Sequence, residues 1–201
     1  MSATENTPEI QNEDREITVT TFPDGYANSK TESRLSLTAL KSELEDIDAV
    51  ASKTDCIFIK LAEFGNTPSP KNCLRYDANV KSVSGCEVDY DGEIMTLDEA
   101  ATIFEANGIR CLLYTSASHT DEKPRWRGLF PFSKDITGTT EDMKRERKKM
   151  VKRVDNILGN ILANESYTLS QSFYFGVVKE KEDAKLFDFT VLEGRYLDDC
   201  D

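Results

Sequence analysis

The chain has 201 residues, 38% of them hydrophobic and 31% charged, with a net charge of −12 and a pI near 4.7. That composition suits a soluble globular domain with polar extensions, and no run of about 18 apolar residues offers a membrane span. Five cysteines without a Cys-x-x-Cys pair and a single histidine, His119, argue against a structural zinc site. The acidic balance argues against non-specific nucleic-acid binding by the molecule as a whole.

In chain order, residues 1–15 are poor in apolar side chains and read as a disordered acidic leader, unlike a signal peptide. Ile17–Phe22 alternates like an edge strand and Pro23-Asp-Gly25 signals a turn. Ser36–Glu45 reads as a helix with Leu37, Leu40 and Leu44 on one face. Cys56–Lys60 is a short buried strand, and Asn66–Asn72, with two prolines, a loop. Three of the cysteines lie in apolar stretches, as buried thiols do in a reducing compartment.

The stretch Cys86-Glu-Val-Asp-Tyr-Asp-Gly-Glu93 organises the rest. Side chains alternate along a strand, so Asp89 and Asp91 leave the same face. Such a pair repels itself unless a cation sits between, and hard divalent ions, Mg²⁺ or Mn²⁺, take carboxylate oxygens. Taken alone, Asp-x-Asp before glycine is equally a solvated strand end. Thr96-Leu-Asp-Glu99 is a capping box opening a helix to about Asn107, closed by Gly108. Ile109–Tyr114 follows as a strand parallel to the first. After the polar loop 116–124, Arg125–Phe130 returns antiparallel, with Arg125 and Arg127 on one face and Trp126 on the other. A second helix spans about 140–162, its first half basic and its second carrying Met150, Val154, Ile157, Leu158 and Ile161 inward. Ser172–Val178 is a fourth strand.

The expected class is α+β: a ferredoxin-like, RNA-recognition-motif-type βαββαβ catalytic sheet with an N-terminal α/β extension. The expected organisation is one catalytic domain over 16–201. It divides into an N-terminal portion 16–84, a catalytic portion 85–180 and a C-terminal tail 181–201. That connectivity brings Asp89, Asp91, His119, Arg127, Glu165 and Gln171 to one end of one sheet. Carboxylates beside a histidine and arginines describe a site for a metal-bound polyphosphate. Ser116 and Ser118 flank His119 without a third group for a nucleophilic triad. The basic run, with Lys144, Arg145, Lys148, Lys149 and Lys152, is a nucleic-acid patch or a solvated helix face.

Val-Asp-Tyr-Asp-Gly, Leu-Tyr-Thr-Ser-Ala-Ser-His-Thr, Pro-Arg-Trp-Arg and Glu-Ser-Tyr-Thr-Leu-Ser-Gln-Ser-Phe-Tyr-Phe-Gly, with the lead-in Asn72–Asn79, occur in that order. Over roughly 58–176 they resemble the archaeo-eukaryotic primase superfamily, in particular the primase-polymerase domains of phage and plasmid replication proteins. The resemblance implies a two-metal DNA primase-polymerase acting on a single-stranded template with nucleoside triphosphates. It implies Mg²⁺ or Mn²⁺ on Asp89 and Asp91, with Glu165 where the family usually places a third, aspartate ligand. Ser116, Ser118, His119, Arg125, Arg127 and Gln171 become the nucleotide-binding set. His119, Asp89 and Asp91 become the catalytic one. Such domains resemble one half of a protein with a helicase-type ATPase. No Gly-x-x-x-x-Gly-Lys-Ser/Thr phosphate loop occurs here, so the chain is an excised domain or a stand-alone relative, expected in the cytoplasm of a bacterial host. The competing expectation is a module that grips single-stranded DNA or an origin without chemistry.

Overall fold

The computed structural model describes residues 14–176, 178 and 188–200. The leader expected over 1–15 lies outside the described residues except for Asp14 and Arg15. Both are tied down, Asp14 to the Arg110 guanidinium and Arg15 to the Phe132 carbonyl and Asp135.

Alternating and short apolar segments give nine strands among the described residues: β1 (Ile17–Phe22), β2 (Thr31–Leu35), β3 (Ile57–Lys60), β4 (Ala62–Phe64), β5 (Val80–Tyr90), β6 (Cys111–Thr115), β7 (Trp126–Ile136), β8 (Phe173–Phe175) and β9 (Phe189–Leu192). Three helices join them: α1 (Leu37–Glu45), α2 (Leu97–Ala106) and α3 (Thr140–Ile157). Capping boxes at Thr96/Glu99 and Thr139/Asp142 open α2 and α3. α3 stops short of the expected residue 162 because Gly159 and Asn160 take left-handed backbone, φ 84° and 66°, just past its end. Its buried stripe is Met143, Arg147, Val151 and Val154, continued by Leu158, so one arginine of the basic run points inward.

The strands form two antiparallel sheets, ordered β2-β1-β3-β8 and β4-β5-β7-β6-β9. The molecule is therefore α+β, and three expectations need correction. β1 is not an edge strand, since β2 and β3 flank it. β5 and β6 run parallel but do not touch, because β7 pairs with both. The expected fourth strand does not join the catalytic sheet: β8 pairs with β3 in the other sheet, and β4 takes the place beside β5. The tail also contributes β9, which pairs along β6.

Period two divides the five-stranded sheet into two faces. Cys86, Val88, Tyr90, Trp126, Phe130 and Phe132 pack with α2 and α3 in one core cluster. Leu112, Tyr114 and Leu129 face the other way and pack with α1, Ile17, Val19, Ile59 and Phe175 in a second. Only Leu61 separates β3 from β4, so the chain passes from one sheet to the other within one residue. Asp89 and Arg127 lie on the Leu129 side, where the two sheets meet.

Candidate active site

Asp89 and Arg127 are cross-strand partners, so their side chains share a face. Arg127 Nε donates to Asp89 Oδ1 at 2.6 Å, and both residues are buried. Arg127 Nη1 donates to the Tyr174 carbonyl at 2.9 Å, and its guanidinium lies 5.3 Å from the Phe173 ring centroid. β8 thus reaches the site from the opposite sheet. The neighbouring pair, Tyr90 and Trp126, points to the helical face and stacks at 5.0 Å, with Trp126 fully buried. Burial pushes the Asp89 carboxyl above its ordinary value, with Arg127 opposing and the nearby Asp91 adding to the rise.

Asp91 follows the strand end and is exposed, with Arg125 Nη1 3.9 Å from its Oδ1. Arg125 also binds the Glu93 carboxylate, which Lys123 approaches at 3.3 Å. Glu93 sits at φ 57°, directly after Gly92, where a Cβ would meet the Tyr90 ring at 2.7 Å. Tyr90 Oη accepts from the amides of Ile94 and Met95, so this turn is built against the strand that carries Asp89.

The loop after β6 arrives at the same end. His119 Nδ1 accepts from the Arg125 amide at 3.2 Å, and its own amide donates to the Ser116 carbonyl at 2.9 Å. Ser116 Oγ accepts from the Ser118 amide, and Ser118 Oγ from Lys53 Nζ at 3.3 Å. Asp89, Asp91, Ser116, Ser118, His119, Arg125 and Arg127 therefore form one connected group.

Two expected members stand apart. Gln171 Nε2 donates to the adjacent Ser172 carbonyl. Glu165 is exposed on the single 3-10 turn Asn164–Tyr167, although that turn itself bonds the Asp89 backbone. Among the described residues, no group of three or more His, Cys, Asp or Glu side chains is placed to hold a metal ion. The basic residues of α3 largely answer to their own acids: Lys144 to Asp77 and Glu141, Arg145 to Asp142 and Glu146, Lys149 to Glu146, Lys152 to Asp155. Lys148 lies with Arg145, Lys149 and Lys152 along one shallow surface groove.

Sequence reasoning missed Lys53, half-buried beside Ser118, with its Nζ 5.1 Å from the Tyr174 ring centroid. It also missed Arg75, which donates to Ser172 Oγ and lies 4.8 Å from the Phe58 ring centroid. Phe58 and Tyr174 are paired across β3 and β8 at 4.3 Å, so the four side chains form a row along the second sheet. A lone lysine in Ser52-Lys-Thr-Asp55 carries no local signal, whereas Arg75 lies within the lead-in stretch.

No protein-family model matches the chain, and no curated protein matches it. Among solved structures, the AEP domain of the cyanophage S-2L primase-polymerase aligns with 91% of this chain and 84% of that domain, at 11% identity and a TM-score of 0.45.

Proposed function

We propose that this chain is a metal-dependent nucleotidyltransferase of the primase-polymerase type, extending DNA on a single-stranded template. One observation carries the reading. A buried and an exposed carboxylate, two residues apart at a strand end, stand beside Arg125, Arg127, Lys53 and the Ser116–His119 loop. The motif resemblance adds the substrate class.

The donor set fits a hard divalent ion. Mg²⁺ is commonly held by one or two carboxylates, with water and substrate phosphates completing its shell, so two aspartates suffice without a third protein ligand. Asp89 and Asp91 would hold Mg²⁺ or Mn²⁺, which supplies charge stabilisation at the attacking and leaving oxygens of a phosphoryl displacement. Glu165 joins them only by turning inward from its exposed turn. Arg127 orients Asp89 through its Nε. Arg125, Lys53 and the hydroxyls of Ser116 and Ser118 offer donors for triphosphate oxygens, and His119 is fixed by the Arg125 amide beside them. The setting we propose is phage or plasmid replication, with a helicase as partner and the α3 basic face touching the template.

The test is incubation with single-stranded template, Mn²⁺ or Mg²⁺ and labelled triphosphates. Incorporation by the wild type, abolished in Asp89→Asn and Asp91→Asn with the fold intact, is expected. The exposed position of Glu165 favours a second reading, a template-binding module without chemistry. Tight template binding with no incorporation under any metal would establish that one instead.

A further inference from the structure

β5 has an edge to close. β4 covers only its first half, pairing Ala62–Phe64 with Val83–Val80, and β7 takes the other side throughout. From Glu87 onward the outward backbone groups need other partners, because buried amides and carbonyls are almost always bonded. Side chains and a turn supply them. The Glu87 carbonyl accepts from Arg147 Nη2 at 3.2 Å, the Asp89 amide donates to Ser166 Oγ at 2.9 Å, and the Asp89 carbonyl accepts from the Ala163 amide at 2.9 Å.

These partners are themselves fixed. Arg147 Nη1 donates to the Ser166 carbonyl at 2.8 Å, and Nη2 also reaches Glu87 Oε2 at 3.0 Å. Glu87 accepts in addition from Lys60 Nζ and the Leu61 amide, tying in the other sheet. Lys60, Glu87, Arg147 and Ser166 are all within 1% of full burial, and Arg147 Nε has no hydrogen-bond partner. Stability alone does not account for such a group, since apolar side chains of similar volume often replace buried ion pairs without loss. What it does uniquely is geometric: the planar guanidinium fork sets the Ser166 turn against Glu87, and Ser166 then holds the backbone of Asp89.

We infer that Ser166 and Arg147 are positioning residues that fix the Asp89 carboxylate for its cation by clamping the free edge of β5. The metal part rests on the reading of Asp89 given above; the clamp itself does not. It is specific to Asp89, since the contacts fall on residues 87 and 89 and none falls on Asp91.

The variants are Ser166→Ala and Arg147→Lys, the latter keeping the charge but losing the fork, with Lys148→Gln on the exposed face as control. Two readouts are taken without nucleotide: Mn²⁺ affinity from the free-ion electron paramagnetic resonance signal, and NMR of the Asp89 amide and the Arg127 Nε–H. Both variants are expected to shift the Arg127 resonance, to speed Asp89 amide exchange and to weaken Mn²⁺ about tenfold, the lower range for groups behind a metal ligand. The control should change neither. Wild-type Mn²⁺ affinity in a folded Ser166→Ala protein overturns the inference, whatever the resonances do. If the wild type binds no Mn²⁺ at all, the functional reading falls and NMR alone judges the clamp. An unmoved Arg127 resonance and an unchanged Asp89 amide then overturn it. If one variant fails to fold, the other decides.

Discussion

At the scale of single residues, the site sets buried charges against one another. Glu87 is shared by two cations, Lys60 and Arg147, and is held ionised below its ordinary value despite complete burial. Lys60 is the weaker cation: burial, helped by Arg147, pulls its ammonium down to about 8, against the attraction of Glu87. Its folded value thus lies below its unfolded one, so between about pH 8 and 10.5 the unfolded chain binds the extra proton. That term makes stability rise with pH across the window. Cys56, Cys86, Cys111 and Tyr114, all pushed up by burial, act in the opposite sense. The prediction is therefore a difference: the stability of the wild type relative to Lys60→Met increases from pH 8 to pH 10 in urea denaturation. A constant difference would remove Lys60 as a titrating group. Lys53 yields a second prediction. Its ammonium stands beside Ser118 at the open end of the site. A charged hydrogen bond to phosphate there contributes about 1.5 kcal/mol, so Lys53→Ala should raise KM for the incoming triphosphate roughly tenfold with little change in kcat. An unchanged KM would place Lys53 outside the nucleotide path.

Among the elements, α1 depends on a residue far outside it. Asp14 accepts from the amides of Leu37 at 3.3 Å and Thr38 at 3.1 Å, while Ser36 caps the amide of Ala39. Partial burial opposes ionisation of Asp14, but the Thr38 and Ser36 bonds and Arg110 outweigh it and hold the carboxyl below its ordinary value. A depressed carboxyl stabilises the fold above its unfolded value and loses that contribution as pH falls through the folded one. Asp14→Ala should cost about 1 kcal/mol at pH 7, a Tm drop of roughly 2–4 °C, and the deficit should close on acidification below pH 4. A deficit independent of pH would mean the loss is one of packing. In α3, Lys149 and Lys152 are already paired with Glu146 and Asp155. Reversing Lys148, Lys149 and Lys152 to Glu should still weaken single-stranded DNA binding and flatten its salt dependence, because phosphate contacts release counterions. An unchanged salt slope would leave the helix as a solvated face.

For the whole molecule, the joint between the sheets is the feature on which the site depends. Leu61 is fully buried between β3 and β4, its carbonyl accepts from the Ser84 amide, and it packs over Gly85. A Cβ on Gly85 would lie 2.5 Å from Leu61 Cδ1 and 2.6 Å from the Phe130 carbonyl oxygen. The leucine tip can turn away, but the backbone of β7 cannot. Gly85→Ala should therefore destabilise by about 1–3 kcal/mol through overpacking, measured by chemical denaturation. A variant as stable as the wild type would show that β5 and β7 can separate at this point.

The sequence alone determined the parts whose signals are local. Thr96 and Thr139 open helices through their own capping partners, Gly108 and Gly159 mark the ends, and alternation places Asp89 on the face opposite Val88 and Tyr90. It also grouped Asp89 and Asp91 with His119, Arg125 and Arg127, since strand direction and period two suffice for that. Tertiary structure decided what depends on pairing across distance. β8 has three residues, too few to say which strand it joins, and burial against β3 rather than β5 settled it. Glu165 faces solvent because Ser166, its neighbour, turns inward to the Asp89 amide. Arg147 looks in sequence like any cation of a basic helix, yet it is buried because Glu87, sixty residues earlier, needs its charge. Lys53 reaches the site only because the segment before β3 lies beside the loop after β6. Each of these rests on partners far apart in the chain, brought together by burial and charge neutralisation that no local pattern encodes.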